Sequence, residues 1–256
     1  MIGVIRISYE SIQRRIRRRK LRFRIIVITM LICGAFVYLL ANPVIQVKNI
    51  FVYGNNNVPA DKLISMSEVN LGDNLLRLNV RRMKENIYAD PHIETCKIRL
   101  LPLGNVYITV AERENAGYTV FENRYITFDK NAVAIESLDK HDEINLPLIS
   151  GINIKNVTLG KVLEVADDRQ IEVIKIVFDS ITRNGLSDII NEVDIKNLVS
   201  IIIKTKPGVN IKLGTVENID KKLATAKEIM EKDIIKKDLK GTLDISFNGN
   251  PVFRPE

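Results

Sequence analysis

Tryptophan is absent from this 256-residue chain, and cysteine and histidine occur only twice each. Cys33 lies inside an apolar run and Cys96 in a strand-like segment far beyond it. No disulfide framework is expected, and no CxxC pair offers a metal site. His92 follows Pro91 and His141 sits in a polar stretch. Neither has a companion nucleophile, and strings of the form GxSxG, HExxH, GxxxxGK[ST] and GxGxxG do not occur. Glu112-Arg113 and Asp167-Asp168 are neighbours in sequence, so they point apart on a strand or fall in a helix's first turn and read as structural. No catalytic residue, cofactor, metal or small-molecule substrate is expected. Without covalent staples the fold must rest on burial, for which 46% apolar residues are enough.

Charge of one sign is also scarce over most of the chain. The formal net charge is +7, but nine basic residues and one acid precede residue 25, so this segment carries +8 and the remainder −1. The excess belongs to a tail (RRIRRRKLRFR) rather than to a binding face, which disfavours a nucleic-acid partner. Directly after it, Ile25 to Ala41 (IIVITMLICGAFVYLLA) contains no charge. At ~1.5 Å per residue this run covers roughly 26 Å of a ~30 Å hydrocarbon core. The positive-inside rule places the N-terminus in the cytoplasm and the C-terminus outside. A cleaved signal peptide would need a shorter apolar core and a small residue where Leu39 stands, so a retained anchor is the better reading.

The exported chain begins with a strand and turn at Val47 to Asn57. Helices are expected over Pro59 to Ser65 and Asn79 to Tyr88, and strands over Thr95 to Leu101 and Asn105 to Val110, joined by Pro102-Leu103-Gly104. The order is β-α-α-β-β. Beyond Glu114, strand candidates at Tyr118 to Phe121, Tyr125 to Phe128, Ala132 to Glu136 and Leu146 to Gly151 start a second sheet. Asp168 to Thr182 is an amphipathic helix closed by Asn184-Gly185. Strands follow at Ile189 to Val193, Leu198 to Thr205 and Val209 to Leu213. Thr215 is expected to cap the last helix, which carries Ile219, Leu223, Ala226 and Met230 on one face. Thr242 to Phe247 alternates cleanly and reads as the final strand. The fold class is α+β: one transmembrane helix, a small β-α-α-β-β domain and a larger mixed β domain with two covering helices.

Several strings, taken in order, resemble the bacterial FtsQ/DivIB cell-division family: VKNIFVYGNNNVPADKLI, GDNLLRLNVRRMKENI, DPHIETCKIRLLP and VYITVAERENA, then YITFDKNAV, LPLISG, GVNIKLGTVENIDKKLATAKEI and GTLDISFNGNPVFR. Asn115 and Asn131 depart from the family's usual proline and glycine, and both tolerate turns. The resemblance implies a basic cytoplasmic tail (1–24), a membrane helix (25–42), a POTRA domain (43–113) and a β domain with a C-terminal edge strand (114–256). It implies a non-catalytic scaffold at the division septum of the cell membrane, whose partners are FtsB/DivIC-like and FtsL-like membrane proteins, besides the lipid around Ile25 to Ala41.

The residues themselves suggest how a partner would be held. As a last strand, Thr242 to Phe247 would offer unpaired backbone groups to an incoming chain. Leu243, Ile245 and Phe247 would face the core, while Thr242, Asp244 and Ser246, with Pro251, Val252, Phe253 and Arg254 beyond, would flank the docked segment. The bland alternative is a solitary edge protected by its shortness and by Asp244. Other functional readings are a membrane-tethered cell-wall enzyme and a POTRA-type translocation or assembly factor.

Overall fold

The computed structural model describes residues 19–35, 37–38, 45–140, 144–234, 239–247 and 249–256. The first eighteen residues of the basic tail, residues 36 and 39–42 of the expected span, and His141 lie outside these. Residues 19–35 are helical (α1), as are 37 and 38, and among the described residues no helix is long and apolar enough to cross a membrane. The chain divides into two compact units. One comprises Met1–Tyr53, Ala60–Lys84 and Lys97–Thr109, and the other Gly54–Pro59, Glu85–Cys96 and Val110–Glu256.

The smaller unit is built around β1 (Asn49–Tyr53) and α2 (Ala60–Ser67), with parts of α3 (Val80–Tyr88), β2 (Ile93–Leu101) and β3 (Asn105–Glu112). The three strands form one sheet in the order β1-β3-β2, with β1 and β3 parallel and Asn49 opposite Asn105. Alternation sorts β3 into buried Val106 and Ile108 on one face and the more exposed Asn105, Tyr107 and Thr109 on the other. Leu63, Leu75 and Met83 are buried from the helical side. Asn79 starts α3 by accepting the Arg82 N–H at 3.1 Å.

The larger unit carries a nine-stranded sheet. Its strands are β4 (Gly117–Phe121), β5 (Arg124–Phe128), β6 (Ala134–Leu138), β7 (Leu148–Ser150), β10 (Ile190–Asp194), β11 (Ile201–Thr205), β12 (Val209–Gly214), β13 (Gly241–Asp244) and β14 (Val252–Pro255). They lie in the order β14-β13-β12-β11-β10-β7-β4-β5-β6. A separate ribbon, β8 (Ile154–Asn156) with β9 (Glu164–Val165), was not expected from the sequence. The helices α4 (Arg169–Arg183) and α5 (Ile219–Ile229) bury Ile174, Val177, Phe178 and Ile181, and Leu223 and Ala226, in the core they share with the strands. Gly117 is needed at one tight point, since a Cβ there would lie 2.8 Å from the Phe178 ring and 2.9 Å from that of Phe128. Those rings meet edge to face, 5.5 Å apart.

Two details explain the Glu-Arg pair. The Glu112 carboxylate accepts backbone N–H groups from Asn56 at 2.7 Å, Asn57 at 2.8 Å and Val58 at 2.9 Å. Burial alone would raise its pKa, but these donors outweigh it and hold the group below its ordinary value. Arg113 pairs with the buried Asp129 at 2.7 Å. One sequence expectation is corrected here: Thr215 does not cap α5. The cap position is Asn218, held in left-handed backbone with no side-chain cap bond, because β12 runs on to Gly214 and a turn separates it from the helix.

Candidate docking edge at the end of the sheet

Thr242 to Phe247 is not the last strand. β13 ends at Asp244 and lies between β12, to which it is parallel, and β14, to which it is antiparallel with Thr242 opposite Arg254 and Leu243 opposite Phe253. The physical reason is the segment from Ile245 to Pro251, which reverses the chain and returns Val252–Pro255 along the side expected to be free. Among the described residues the open edge therefore belongs to β14.

The ten residues singled out separate accordingly. Leu243 and Ile245 are buried in the core, and Phe253 packs against it half-buried. Thr242 is half-buried inside the sheet. Asp244 closes β13: its carboxylate accepts the Ser246 N–H at 3.1 Å and hydroxyl at 2.7 Å. Burial would raise this carboxyl, but the Ser246 bonds, with Lys212 and Arg254 nearby, keep it below the usual range. Phe247, expected to face the core, is 48% exposed, because the strand has already ended and its ring lies in the reversing loop. Ser246, Val252 and Arg254 are exposed.

The edge itself is unusual in its donors. The Glu256 N–H reaches the Lys240 carbonyl at 3.1 Å, so alternation turns the backbone groups of Arg254 and Val252 inward as well. The outward positions are then 251, 253 and 255, two of which are proline. The edge thus presents three carbonyls and a single N–H, that of Phe253. Prolines in this place protect an edge from indiscriminate pairing and leave one outward donor. Beside the edge is a groove of about 500 Å³ between α5 and the reversing loop, lined by Lys221, Lys222, Thr225, Ile245, Phe247 and Pro251. Lys222 is occupied on the carbonyls of Leu213 and Thr215, at 3.0 and 3.1 Å. Pro255, Lys221 and Thr225 were missed by sequence reasoning. The proline-bounded VFRP string was the available signal.

Elsewhere the His92 ring bridges Asp90 and Glu136, each at 2.9 Å, and no metal-holding cluster of His, Cys, Asp and Glu occurs among the described residues.

Comparison with known proteins agrees with this architecture. Residues 45–113 match the model of the POTRA domain, FtsQ-type. A cell division protein DivIB of Clostridium botulinum (strain Hall) is 30% identical over 245 residues, 95% of each chain. One from Clostridium acetobutylicum is 33% identical over 224 residues, 87% of this chain and 88% of the relative. The chain belongs to the DivIB/FtsQ family of cell-division proteins. A cell division protein FtsQ of Syntrophotalea carbinolica is more distant, 25% identical over 121 residues, 47% of this chain and 43% of the relative. A POTRA domain of the FtsQ type is present beside a large β sheet, and the role is division-related.

Proposed function

We propose that this DivIB/FtsQ chain is a membrane-anchored, non-catalytic scaffold of the division complex that holds an extended segment of a partner along the open edge of β14. The supporting observation is the placement of β14 at the end of a nine-stranded sheet, with one outward N–H and a groove alongside. Pairing there would extend the sheet by a tenth strand, with Phe253 supplying the donor and positions 251, 253 and 255 the acceptors. FtsB/DivIC-like and FtsL-like membrane proteins at the septum are the proposed partners.

Anchoring is supported by the charge-free run and by the surface of α1 and the helical residues 37 and 38. Leu21, Phe23, Met30, Leu31, Val37 and Tyr38 are all more than half exposed, which suits a helix surrounded by lipid. The basic residues before the run orient it with the N-terminus inside.

The test separates backbone from side chain. Phe253→Pro removes the outward N–H without touching the bonds to β13, and should weaken capture of a purified DivIC-like and FtsL-like pair roughly five- to 150-fold, the cost of one unsatisfied partner group of about 1–3 kcal/mol. Phe253→Ala keeps the N–H and should bind more tightly than Phe253→Pro. Equal binding by wild type and Phe253→Pro would contradict strand addition.

A further inference from the structure

The outward face of the three-stranded sheet has no assigned role. In that sheet Phe51 lies opposite Tyr107, and their rings stack at 5.0 Å and 27°. Tyr53 continues the row, 6.2 Å from Tyr107 and within 8° of parallel. Phe51 and Tyr53 are 37% and 51% exposed. On β2 the exposed alternate positions are Thr95, Lys97, Arg99 and Leu101. No Asp or Glu occurs within 49–53, 97–101 or 105–109. The face therefore combines three rings, a leucine and two cations with no carboxylate.

The β2–β3 turn adds a second feature. Leu103 is 68% exposed, yet its backbone sits at φ 70°, a strained position for a branched apolar residue. Exposing such a side chain stabilises nothing inside the chain. It does have a purpose if the tip meets a non-aqueous surface.

Chain connectivity says which surface. The Lys48 N–H donates to the Gly104 carbonyl at 2.7 Å, so the turn is fastened to the segment that emerges from the charge-free run. Six residues lie between Ala41 and Lys48, a reach of at most about 25 Å over the seven steps. The parallel β1–β3 register places the starts of both strands at this same end.

We propose that this face and its Leu101–Leu103 tip form a second contact with the membrane, lying on an anionic bilayer surface. The inference rests on the anchoring reading above. Tyrosine, phenylalanine and leucine flanked by lysine and arginine are the residues that partition into the headgroup boundary, and Lys48, Lys97 and Arg99 complement anionic lipid. The rings cover one another's faces, which disfavours a sugar or a nucleobase, since either would need a ring face to stack on.

Because the chain lacks tryptophan, Leu103→Trp creates its sole indole reporter. The full chain is reconstituted in vesicles of phosphatidylglycerol and brominated phosphatidylcholine. Two sister variants are Leu31→Trp, inside the charge-free run, and Val199→Trp, 69% exposed in the other unit. Leu103→Trp should be quenched about threefold more strongly than Val199→Trp. Adding Lys97→Glu and Arg99→Glu should remove roughly half of that excess. If Leu31→Trp is quenched but Leu103→Trp behaves like Val199→Trp, the proposal is overturned while the anchor stands. If Leu31→Trp is not quenched, the anchor fails and the proposal with it. Quenching at Leu103→Trp that ignores the charge reversals would overturn anionic lipid as the occupant.

Discussion

His92 shows how much a single side chain can carry in holding two segments together. Its ring joins Asp90, on the turn before β2, to Glu136 on β6, both at 2.9 Å. Partial burial opposes the charged ring, but the two carboxylates outweigh it and the pKa is raised above its ordinary value. A raised pKa in the folded state gives stability that is fully present below the unfolded value of about 6.5 and is lost as pH rises through the folded value. The stability difference between wild type and His92→Gln, followed by denaturant midpoint, should therefore be largest below about pH 6.5 and shrink above it. A difference that grows with pH would contradict the bridge. From sequence His92 read as an ordinary turn histidine, because Glu136 is brought to it by the fold. The two prolines of the edge were legible as residues, but not as outward-facing ones. Which side of β14 they occupy depends on a register that only the pairing with β13 sets.

At the scale of elements, long periodic segments were readable and short ones were not. The stripe of Ile171, Ile174, Phe178 and Ile181 specified α4, and Leu223, Ala226 and Met230 marked the buried side of α5 and the turn after it. β8, β9 and β14 are two to four residues long, too short for alternation to register, and exist because a neighbouring strand supplies their hydrogen bonds. The same shortness made Thr242 to Phe247 look final. The contact between α4 and α5 was likewise invisible: Asp220 accepts the buried Ser180 hydroxyl at 2.5 Å and pairs with Arg183 at 2.8 Å. Asp220→Ala should cost about 1–3 kcal/mol by leaving a buried hydroxyl without its acceptor. Asp220→Asn, which retains an acceptor, should cost less in the same unfolding measurement.

For the whole molecule, the sheet has two ends with different fates. β6 is partly closed, since Ala134 exchanges hydrogen bonds with Lys161 and Gly160 at 2.9 and 2.8 Å, and Glu136 is engaged by His92. β14 is left open. The family and the POTRA domain were legible in the order of weak strings along nearly the whole chain, whereas the boundary of the compact units was not: Gly54–Pro59 and Glu85–Cys96 join the larger unit through contacts remote in sequence. In the proposed capture at β14, backbone groups and not reactive side chains hold the partner. Amide hydrogen exchange at Phe253, in the full chain held in lipid nanodiscs, tests this most directly. Adding a DivIC-like and FtsL-like pair should slow exchange at Phe253 by roughly tenfold or more, the effect of one new backbone hydrogen bond, while the inward-facing Val252 and Arg254 change less. A bound partner that leaves Phe253 exchanging at its free rate would contradict the account.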